Sequence, residues 1–214
     1  MDIVTGVGVL DKTVAVLRAV AAEPRSLASL QDATDLPRAT AHRLAVALEK
    51  HGLLRRDDDG RFDLGPELAT WGRTASERYP LAAIALPVLE RLRDDSGESV
   101  QLFVREGNQR RCVLSLQSPH ALRWIVPEGV LFPLDAGSAG KALTGGAGRE
   151  GWVASVEERE AGVASVSAPV ATGDGAIVAA VSVSGPIDRM TRQPGKRFGR
   201  QVVEAAADVA CLMR

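Results

Sequence analysis

Aromatic residues are scarce in this chain. They make up 4% of its 214 residues, so the core must be built mainly from Val, Leu and Ala. Cysteine is scarcer still: with only Cys112 and Cys211, a disulfide framework is not expected, and a reducing, cytoplasmic setting is the default. Neither the cysteines, the histidines nor the carboxylates cluster at metal-ligand or catalytic spacings, so we expect no metal, no cofactor and no catalytic site.

The chain also lacks an excess of charge and any long apolar run. Its formal net charge of −1 argues against a generally basic surface. A local basic patch is still allowed, because DNA affinity depends on the few cations that reach phosphates. No apolar run approaches the roughly 20 residues that span a bilayer, and no signal-like apolar segment opens the sequence. We therefore expect no membrane partner.

The first third of the sequence has the pattern of three short helices followed by a hairpin. Apolar residues recur at helical spacing, Ser26 is a good N-cap for the second helix, and Pro37 precedes the third. Asp59-Gly60 is a strong turn signal between two short runs. Helices are predicted over 9–22, after Ser26 and over 37–51, and strands over 53–56 and 61–64. This order predicts a winged helix-turn-helix.

The third helix of a winged helix-turn-helix lies in the major groove of DNA, with its N-terminal residues over base edges. Arg can read guanine with two hydrogen bonds, and Ala or a Thr methyl suits the thymine methyl. Between positions 36 and 56 there are five basic residues and one acid, Glu49. The expected DNA-binding residues are Arg38, Ala39, Thr40, His42, Arg43, Arg55, Arg56 and Arg61.

Other interpretations of this segment remain open. Basic residues on a helix are often only solvated, and many winged helices bind proteins, so a protein-interaction module is one alternative. An enzyme with an accessory winged helix is another, although no catalytic constellation supports it. The run Asp57-Asp58-Asp59 at the predicted wing tip would repel phosphates, so we expect the wing to contribute through the arginines at its edges.

The middle of the chain contains a boundary between two domains. Pro66 can begin a helix, and Leu68, Trp71 and Ala75 give that helix one apolar stripe. Tyr79-Pro80 then interrupts the pattern. The predicted division is a winged helix-turn-helix over 1–65, a linker helix over 66–79 and a second domain over 80–214.

Alternating apolar residues dominate the second domain, with a helical pattern at each end, so we predict an α+β fold. Cys112 alternates with Leu114 and Leu116, which indicates a buried thiol on the same strand face. The segment 172–175 (Thr-Gly-Asp-Gly) is a strong hairpin signal. Strands are predicted over 99–105, 112–116, 122–126, 162–170 and 176–184, and helices over 81–94 and 195–214.

The segment Gly137-Ser138-Ala139-Gly140-Lys141 matches known motifs only in part. Backbone amides at a helix start favour an anionic group, so a carboxylate ligand and a tight turn of small residues are two alternatives. A nucleotide-binding P-loop is excluded because Asp135 stands at the required first glycine and Ala142 at the hydroxyl position. A serine-hydrolase site is excluded because no histidine follows Ser138 at the required place in the chain.

Serine hydroxyls form a second pattern. Ser182 and Ser184 share one face of a predicted strand, and Ser165 and Ser167 share a face of its neighbour. Facing inward, they would line a pocket for a small polar molecule. Facing outward, they would be ordinary solvated serines. The pattern alone slightly favours the outward orientation.

The runs VLDK, LPRATAHRLAVALEKHGLLRRDDDGRFDLGPEL and SVSGPIDR resemble the isocitrate lyase regulator (IclR) family of bacterial transcription factors. Within that family the chain looks most similar to regulators of leucine, tryptophan and amino-acid metabolism in high-GC bacteria. The resemblance implies a linker helix with dimer contacts that suit Trp71, and a C-terminal effector domain similar to GAF domains. It implies effector contacts for Ser138, Ala139, Gly140, Val163, Ser165, Ser182 and Ser184, and so favours the inward orientation of the serines.

The resemblance also sets the expected function and shows one departure. We expect a dimeric or tetrameric repressor that binds a two-fold symmetric operator DNA and responds to a small-molecule effector, such as an amino acid or a pathway intermediate. Between Lys141 and Gly151, however, the chain is shorter than the family, which carries an extra helix or more at this point.

Overall fold

The computed structural model describes residues 6–78 and 80–213, and the chain folds as two compact units with the division after Arg78. The boundary expected at Tyr79-Pro80 includes Tyr79, which lies outside the described residues. In the ranges that are described, no helix is both long and apolar enough to cross a bilayer.

The N-terminal unit contains the predicted three helices and hairpin in the predicted order. Its elements are α1 (Gly8–Ala22), α2 (Leu27–Thr34), α3 (Arg38–Lys50), β1 (Leu54–Arg56), β2 (Phe62–Leu64) and α4 (Pro66–Arg78). Ser26 caps α2 as expected, because its hydroxyl accepts a hydrogen bond from the Ser29 N–H at 3.2 Å. Strands β1 and β2 pair antiparallel and form the wing.

The core of this unit lies where the first three helices meet the wing. Val16 of α1, Leu30 of α2, Leu48 of α3 and Phe62 of β2 are all buried together. Each helix contributes one apolar stripe, since residues three or four positions apart lie on the same side of a helix. In contrast, α4 has no buried residue, and Trp71 on this helix is 56% exposed.

The C-terminal unit is an antiparallel six-stranded sheet with helices on both faces, so the predicted α+β class is confirmed. The strands follow the order β5-β4-β3-β8-β7-β6 across the sheet. The elements are α5 (Leu81–Ser96), β3 (Ser99–Glu106), β4 (Gln109–Leu116), β5 (Leu131–Pro133), α6 (Ser138–Leu143), β6 (Val153–Val156), β7 (Val163–Ala171), β8 (Ile177–Pro186), α7 (Ile187–Met190) and α8 (Pro194–Leu212). Neither β6 nor α7 is predicted by the sequence pattern.

The two faces of this sheet have different partners. Because side chains alternate along a strand, Leu102 and Phe103 of β3 point to opposite sides. Leu102 is buried in the larger core with residues of α5 and α8, including Leu89 and Val202. Phe103 belongs to a smaller core on the side of α6. The polar site described below lies on this second, more thinly covered face.

The prediction of a strand over residues 122–126 is wrong. These residues form an irregular loop in which Leu122 is 70% exposed. Backbone pairing with β4 begins at the last residue of the turn at 127–129. The Gly129 N–H donates to the Cys112 carbonyl, and the Cys112 N–H donates to the Val130 carbonyl. The apolar run therefore precedes the turn, and the strand that pairs with β4 follows it as β5.

The expectation that Cys112 shares a face with Leu114 is also wrong, although the thiol is buried as predicted. The register of β3 against β4 shifts between the pairs Leu102–Leu114 and Phe103–Cys112, which leaves Val113 without an opposite residue. Such a bulge reverses the alternation on either side of it. Cys112 therefore packs on the α6 side, whereas Leu114 packs on the side of α5 and α8.

Candidate functional site

Helix α3 presents one side to the core and the other to solvent. Ala41 and Leu48 are buried on its inner side. The outer side of its first two turns carries Arg38, Ala39, His42 and Arg43, which are exposed, beside the half-buried Thr40. All five residues predicted on this helix are therefore on or beside a single accessible surface, which we call the α3 surface.

Among the described residues, Arg38, Arg43 and Lys50 make no ion pair and no side-chain hydrogen bond. An unpaired guanidinium can bind a phosphate or a base edge without first giving up an interaction within the protein. The α3 surface thus has the charge and exposure that a nucleic-acid contact requires.

The three predicted wing arginines are instead paired within the protein. The pairs are Arg55 with Asp63, Arg56 with Glu49 (3.6 Å) and Arg61 with Asp57 (2.8 Å). Arg56 also lies over the Phe62 ring, 3.6 Å from its centroid. The hydrogen bond to Asp57, and then its charge, raise the pKa of Arg61. These arginines hold the hairpin together and are less free than the cations of α3.

A polar cavity lies in the C-terminal unit, between α6 and the sheet face that α6 covers. Its volume is about 450 Å³ with its open mouth included. Every predicted effector residue except Gly140 lines this cavity: Ser138, Ala139, Val163, Ser165, Ser182 and Ser184. Gly140 has a packing role instead, because a Cβ at this position would stand 2.2 Å from the Leu134 carbonyl oxygen.

The serine hydroxyls form a hydrogen-bonded chain across the sheet. Ser165 lies opposite Ser184 in the strand register, and Ser167 lies opposite Ser182. The Ser138 Oγ is 2.7 Å from the Oγ atoms of both Ser165 and Ser167, and Ser167 donates to Ser182 at 2.9 Å. The strand face that carries these serines is thus turned to the interior, and the outward alternative is wrong.

Two cavity residues that the sequence analysis did not identify are Arg110 and Gln101. Arg110 of β4 is 1% exposed; its Nη1 donates to the Pro133 carbonyl, and its Nε has no partner. Gln101 of β3 accepts a hydrogen bond from Ser184 at 2.8 Å, but its Nε2 has no partner. A signal for Arg110 existed in the sequence: it stands two positions before Cys112, so strand alternation places both on one buried face.

A second guanidinium lies at the same cavity. Arg159 stacks over the Phe132 ring, with 3.6 Å between the guanidinium carbon and the ring centroid. Burial, and then the positive charge of Arg159, lower the pKa of Arg110 to about 10, while Asp135 acts in the opposite direction. Burial also lowers the pKa of Arg159, against the influence of Glu160. Within the described residues neither guanidinium has an ion pair. With its pKa at about 10, Arg110 stays protonated at neutral pH.

The start of α6 already has a carboxylate partner from the chain itself. Glu158 accepts hydrogen bonds from the Gly137 N–H at 3.0 Å and from the Lys141 Nζ at 2.6 Å. Burial is the largest single influence and raises the pKa of Glu158, but the hydrogen bonds from Lys141, Gly137 and Ser155 together with the charge of Lys141 outweigh it, so the pKa is lowered. One of the amides at this helix start, that of Gly137, thus has a carboxylate partner within the chain. Among the described residues, the buried donors of the cavity that lack a partner lie on Arg110 and Gln101.

Across residues 6–78 and 80–213, no three His, Cys, Asp or Glu side chains come together as a metal site requires. The donors and acceptors that line the cavity suit the reversible binding of a small polar molecule.

Family models match both units. The model for the IclR helix-turn-helix domain matches residues 9–58. The model for the C-terminal domain of the bacterial transcriptional regulator IclR matches in two pieces, over residues 73–147 and 146–211. The two pieces meet inside the short connection between α6 and β6, where the sequence analysis found the chain shorter than the family.

Individual relatives agree with this match. The chain is 30% identical to the transcriptional regulator KipR of Bacillus subtilis over 135 residues, which cover 63% of this chain and 54% of KipR. It is 25% identical to the transcriptional repressor IclR of Escherichia coli, covering 86% of this chain and 81% of the repressor. That alignment runs over 222 residues, more than this whole chain contains, so the repressor has residues that this chain lacks.

A solved structure has the same fold. An IclR homologue from Microbacterium hydrocarbonoxydans, in complex with 4-hydroxybenzoate, superposes with a TM-score of 0.81. The comparison covers 96% of this chain and 99% of that one, at 23% identity. The order of helices and strands described above is therefore shared along almost the whole length of both chains.

Proposed function

The chain belongs to the IclR family of bacterial transcriptional regulators, and from this premise we propose that it is a repressor that binds operator DNA through the α3 surface and responds to a small molecule in the C-terminal cavity. The observation that carries the DNA-binding role is the set of exposed, unpaired cations on α3. The families that it matches are transcriptional regulators and not enzymes, which argues against the enzyme alternative.

In this proposal the N-terminal turns of α3 enter the major groove and read base edges. Arg38 and Arg43 donate to phosphates or to guanine, while Ala39 contacts thymine methyl groups. The wing arginines contribute less, because each would have to exchange a carboxylate partner for a phosphate. The helix therefore provides most of the specificity, and the wing adds contacts at its edges.

A dimer would present two α3 surfaces to two half-sites, so its operator would have two-fold symmetry. Support for a dimer comes from apolar side chains that the N-terminal unit leaves exposed: Val9 and Leu10 at the start of α1, and Trp71 on α4. Exposed apolar residues of this size commonly mark contacts with a partner. We propose that these residues contribute to the dimer interface.

Regulation would follow from ligand binding in the cavity of the C-terminal unit. A ligand that binds one conformation of the dimer better than another shifts the population toward that conformation, and so changes operator affinity. The similar structure from Microbacterium hydrocarbonoxydans contains a small aromatic acid. Its presence supports a small organic effector for this chain.

The direction of regulation and the target genes are the finer parts of the proposal. Repression is supported by the Escherichia coli relative, which is named a repressor. The assignment of the target genes to amino-acid biosynthesis depends only on the resemblance carried by the segments LPRATAHRL and SVSGPIDR. The selection experiment below tests the target genes separately from DNA binding.

The test of the proposed function is the selection of genomic fragments by the purified full-length protein at moderate salt, followed by sequencing. We expect a shared two-fold symmetric site, and a location upstream of amino-acid genes would support the pathway assignment. We expect Arg43→Ala to weaken binding to this site at least tenfold. Arg18→Ala is the matched control, because Arg18 is also exposed and unpaired but lies on α1.

The main alternative is a winged helix that binds a protein. Salt separates the two proposals, because each phosphate contact releases counterions and log affinity falls by about 0.9 per contact for each unit of log salt concentration. A steep salt dependence that becomes shallower in Arg43→Ala supports DNA binding. The absence of any enriched fragment, with or without candidate effectors, would favour the protein partner.

A further inference from the structure

The cavity contains a buried positive charge that the chain itself does not neutralise. Arg110 is 1% exposed, its Nε has no partner, and its one hydrogen bond goes to the neutral Pro133 carbonyl. A buried guanidinium is normally paired with a carboxylate, because taking a charge out of water is costly. Such an ion pair does not occur for Arg110 among the residues that the structure describes.

The surroundings of Arg110 point to an anion as the missing partner. Arg159 adds a second positive charge beside it, also without an ion pair in the described part of the chain. The unpaired Nε2 of Gln101 adds a buried neutral donor to the same cavity. Two buried donors without a partner, on Arg110 and Gln101, and the exposed guanidinium of Arg159 line one space. A group of oxygen atoms with negative charge would satisfy both buried donors and interact favourably with Arg159.

The carboxylates near the cavity indicate how many negative charges its ligand carries. Glu158 lines the cavity but is already paired with Lys141, and Glu160 lies at the rim, near Arg159. Asp135 also acts on Arg110 from an exposed position. These acids reduce the positive potential of the cavity, so it suits one negative charge better than the two of a phosphate.

We propose that the effector of this chain is a small organic monocarboxylate whose carboxylate binds between Arg110 and Arg159. Polar groups on the remainder of the ligand contact the Gln101 amide and the hydroxyls of Ser165 and Ser182. A planar guanidinium suits this task because it offers parallel N–H groups to both carboxylate oxygens. This inference rests on the proposed regulatory function and names the chemical class of its ligand.

The test uses calorimetric titration of the full-length protein with matched pairs of probes. The pairs are acetate and acetamide, butyrate and butyramide, and benzoate and benzamide, with inorganic phosphate as a further probe. We expect at least one carboxylate to bind more than tenfold tighter than its own amide, because only the carboxylate neutralises Arg110. Binding of none of the three carboxylates, equal binding of an acid and its amide, or tighter binding of phosphate would each overturn the proposal.

Variants of two neighbouring residues test whether carboxylate binding depends on Arg110. Arg110→Met removes the charge but keeps an unbranched side chain, and we expect it to bind the carboxylate at least tenfold more weakly. Arg111→Met is the matched control, since Arg111 is next in the strand, more exposed and paired with Glu106 at 2.6 Å. We expect wild-type affinity from this control. Equal losses in both variants would contradict a specific role for Arg110.

Thermal melting without ligand distinguishes an anion-binding role from a structural one. If the guanidinium is retained for a ligand, Arg110→Met should melt at or above the wild-type temperature, because it removes an unneutralised buried charge. A variant that melts lower and still binds the carboxylate would overturn the proposal. Arg110→Lys provides a second test: it keeps the charge, so it should retain part of the preference for the acid over the amide.

DNA retention by the same proteins separates this inference from the proposed function. We expect the carboxylate to change the DNA affinity of the wild-type protein, and the DNA affinity of Arg110→Met to be the same with and without the carboxylate. A wild-type protein that prefers carboxylates but binds no DNA would contradict the regulatory function and leave the anion site standing. A protein that binds DNA and shows no such preference would contradict the anion site alone.

Discussion

The buried guanidinium of Arg110 shows how much a single side chain can decide in this protein. Its neighbours in the cavity, the serine hydroxyls, would accommodate many polar molecules, whereas an unneutralised charge restricts the ligand to anions. Specificity at this site therefore comes from the one group whose burial is costly when the cavity holds no anion.

The two cysteines should differ sharply in reactivity. Cys112 is fully buried, and burial together with the negative charge of Glu128 raises its pKa to about 12. Cys211 is exposed near the end of α8. Because the thiolate is the reactive form, iodoacetamide at pH 8 should label only Cys211 in the native protein.

Mass spectrometry of labelled peptides measures this difference. Both cysteines should be labelled in denaturant, which provides the control for reagent access. Raising the pH increases the thiolate fraction of Cys112 only near pH 12, so labelling of native Cys112 at pH 8 would contradict its buried position.

The ion pair of Glu98 and Arg189 should be important for stability. Glu98 is almost fully buried, and Arg189 donates to both of its carboxylate oxygens, at 2.6 and 2.9 Å. The hydrogen bond to Glu98 raises the pKa of Arg189. Arg189→Met would leave Glu98 buried without its partner, and should lower the free energy of unfolding by about 3 kcal/mol.

Denaturant unfolding of the full chain tests this expectation. Arg192→Met is the control, because Arg192 is largely exposed and its pair with Glu157 at 3.1 Å is on the surface. We expect that control to change the free energy of unfolding by less than about 0.5 kcal/mol. Equal effects of the two variants would mean that burial of Glu98 does not govern the energetics.

At the scale of elements, the packing of α8 against Trp152 constrains two glycines. Glycine inside a helix normally costs stability relative to alanine. At Gly199, however, a Cβ would stand 2.6 Å from the Trp152 Nε1, and at Gly195 it would stand 2.0 Å from the Trp152 ring. The two glycines thus allow α8 to lie directly on the indole ring.

Two glycine-to-alanine substitutions should therefore change the free energy of unfolding in opposite directions. Gly72→Ala in α4 meets no described atom within 4 Å of the new Cβ and should stabilise the protein by about 0.5–1 kcal/mol. Gly199→Ala should destabilise it by about 1–3 kcal/mol, because the indole ring must move. Urea unfolding of both variants measures the difference, and stabilisation by Gly199→Ala would show that Trp152 can move aside at little cost.

The connection between α6 and β6 is where the match to the C-terminal family model is interrupted. The C-terminal family model breaks there, and a turn through residues 144–151 joins the two elements. Three glycines with positive φ, Gly145, Gly148 and Gly151, allow the chain to reverse within this short distance. The strands that carry the serine hydroxyls, β7 and β8, follow this connection and are both present.

In the whole molecule, ligand binding in the C-terminal cavity and operator binding by the α3 surface would share one conformational equilibrium. If a carboxylate weakens operator binding by some factor, the operator must weaken carboxylate binding by the same factor. Calorimetric titration of the carboxylate into the protein, with and without the selected operator fragment, measures this coupling. Equal carboxylate affinities in the two titrations would show that occupancy of the cavity does not regulate DNA binding.

Local sequence patterns were enough to predict the element order of the N-terminal unit and most of the C-terminal strands. Helical periodicity, the Ser26 cap and the Asp59-Gly60 turn are local signals, and they depend only on residues a few positions apart. The sharing of one strand face by Ser182 and Ser184 also follows from local alternation. These features were predictable because the interactions that form them lie within one element or one turn.

Which face of each strand is buried, and which charges are paired, depends on contacts between elements that are distant in the chain. The bulge at Val113 separates Cys112 from Leu114, and it exists because β3 and β4 pair with a shifted register. Arg110 and Gln101 come together from different strands, and Arg159 reaches the same cavity from a loop. Such contacts join residues far apart in the chain, so no local pattern records them, and the charge of the cavity emerges only when the sheet is assembled.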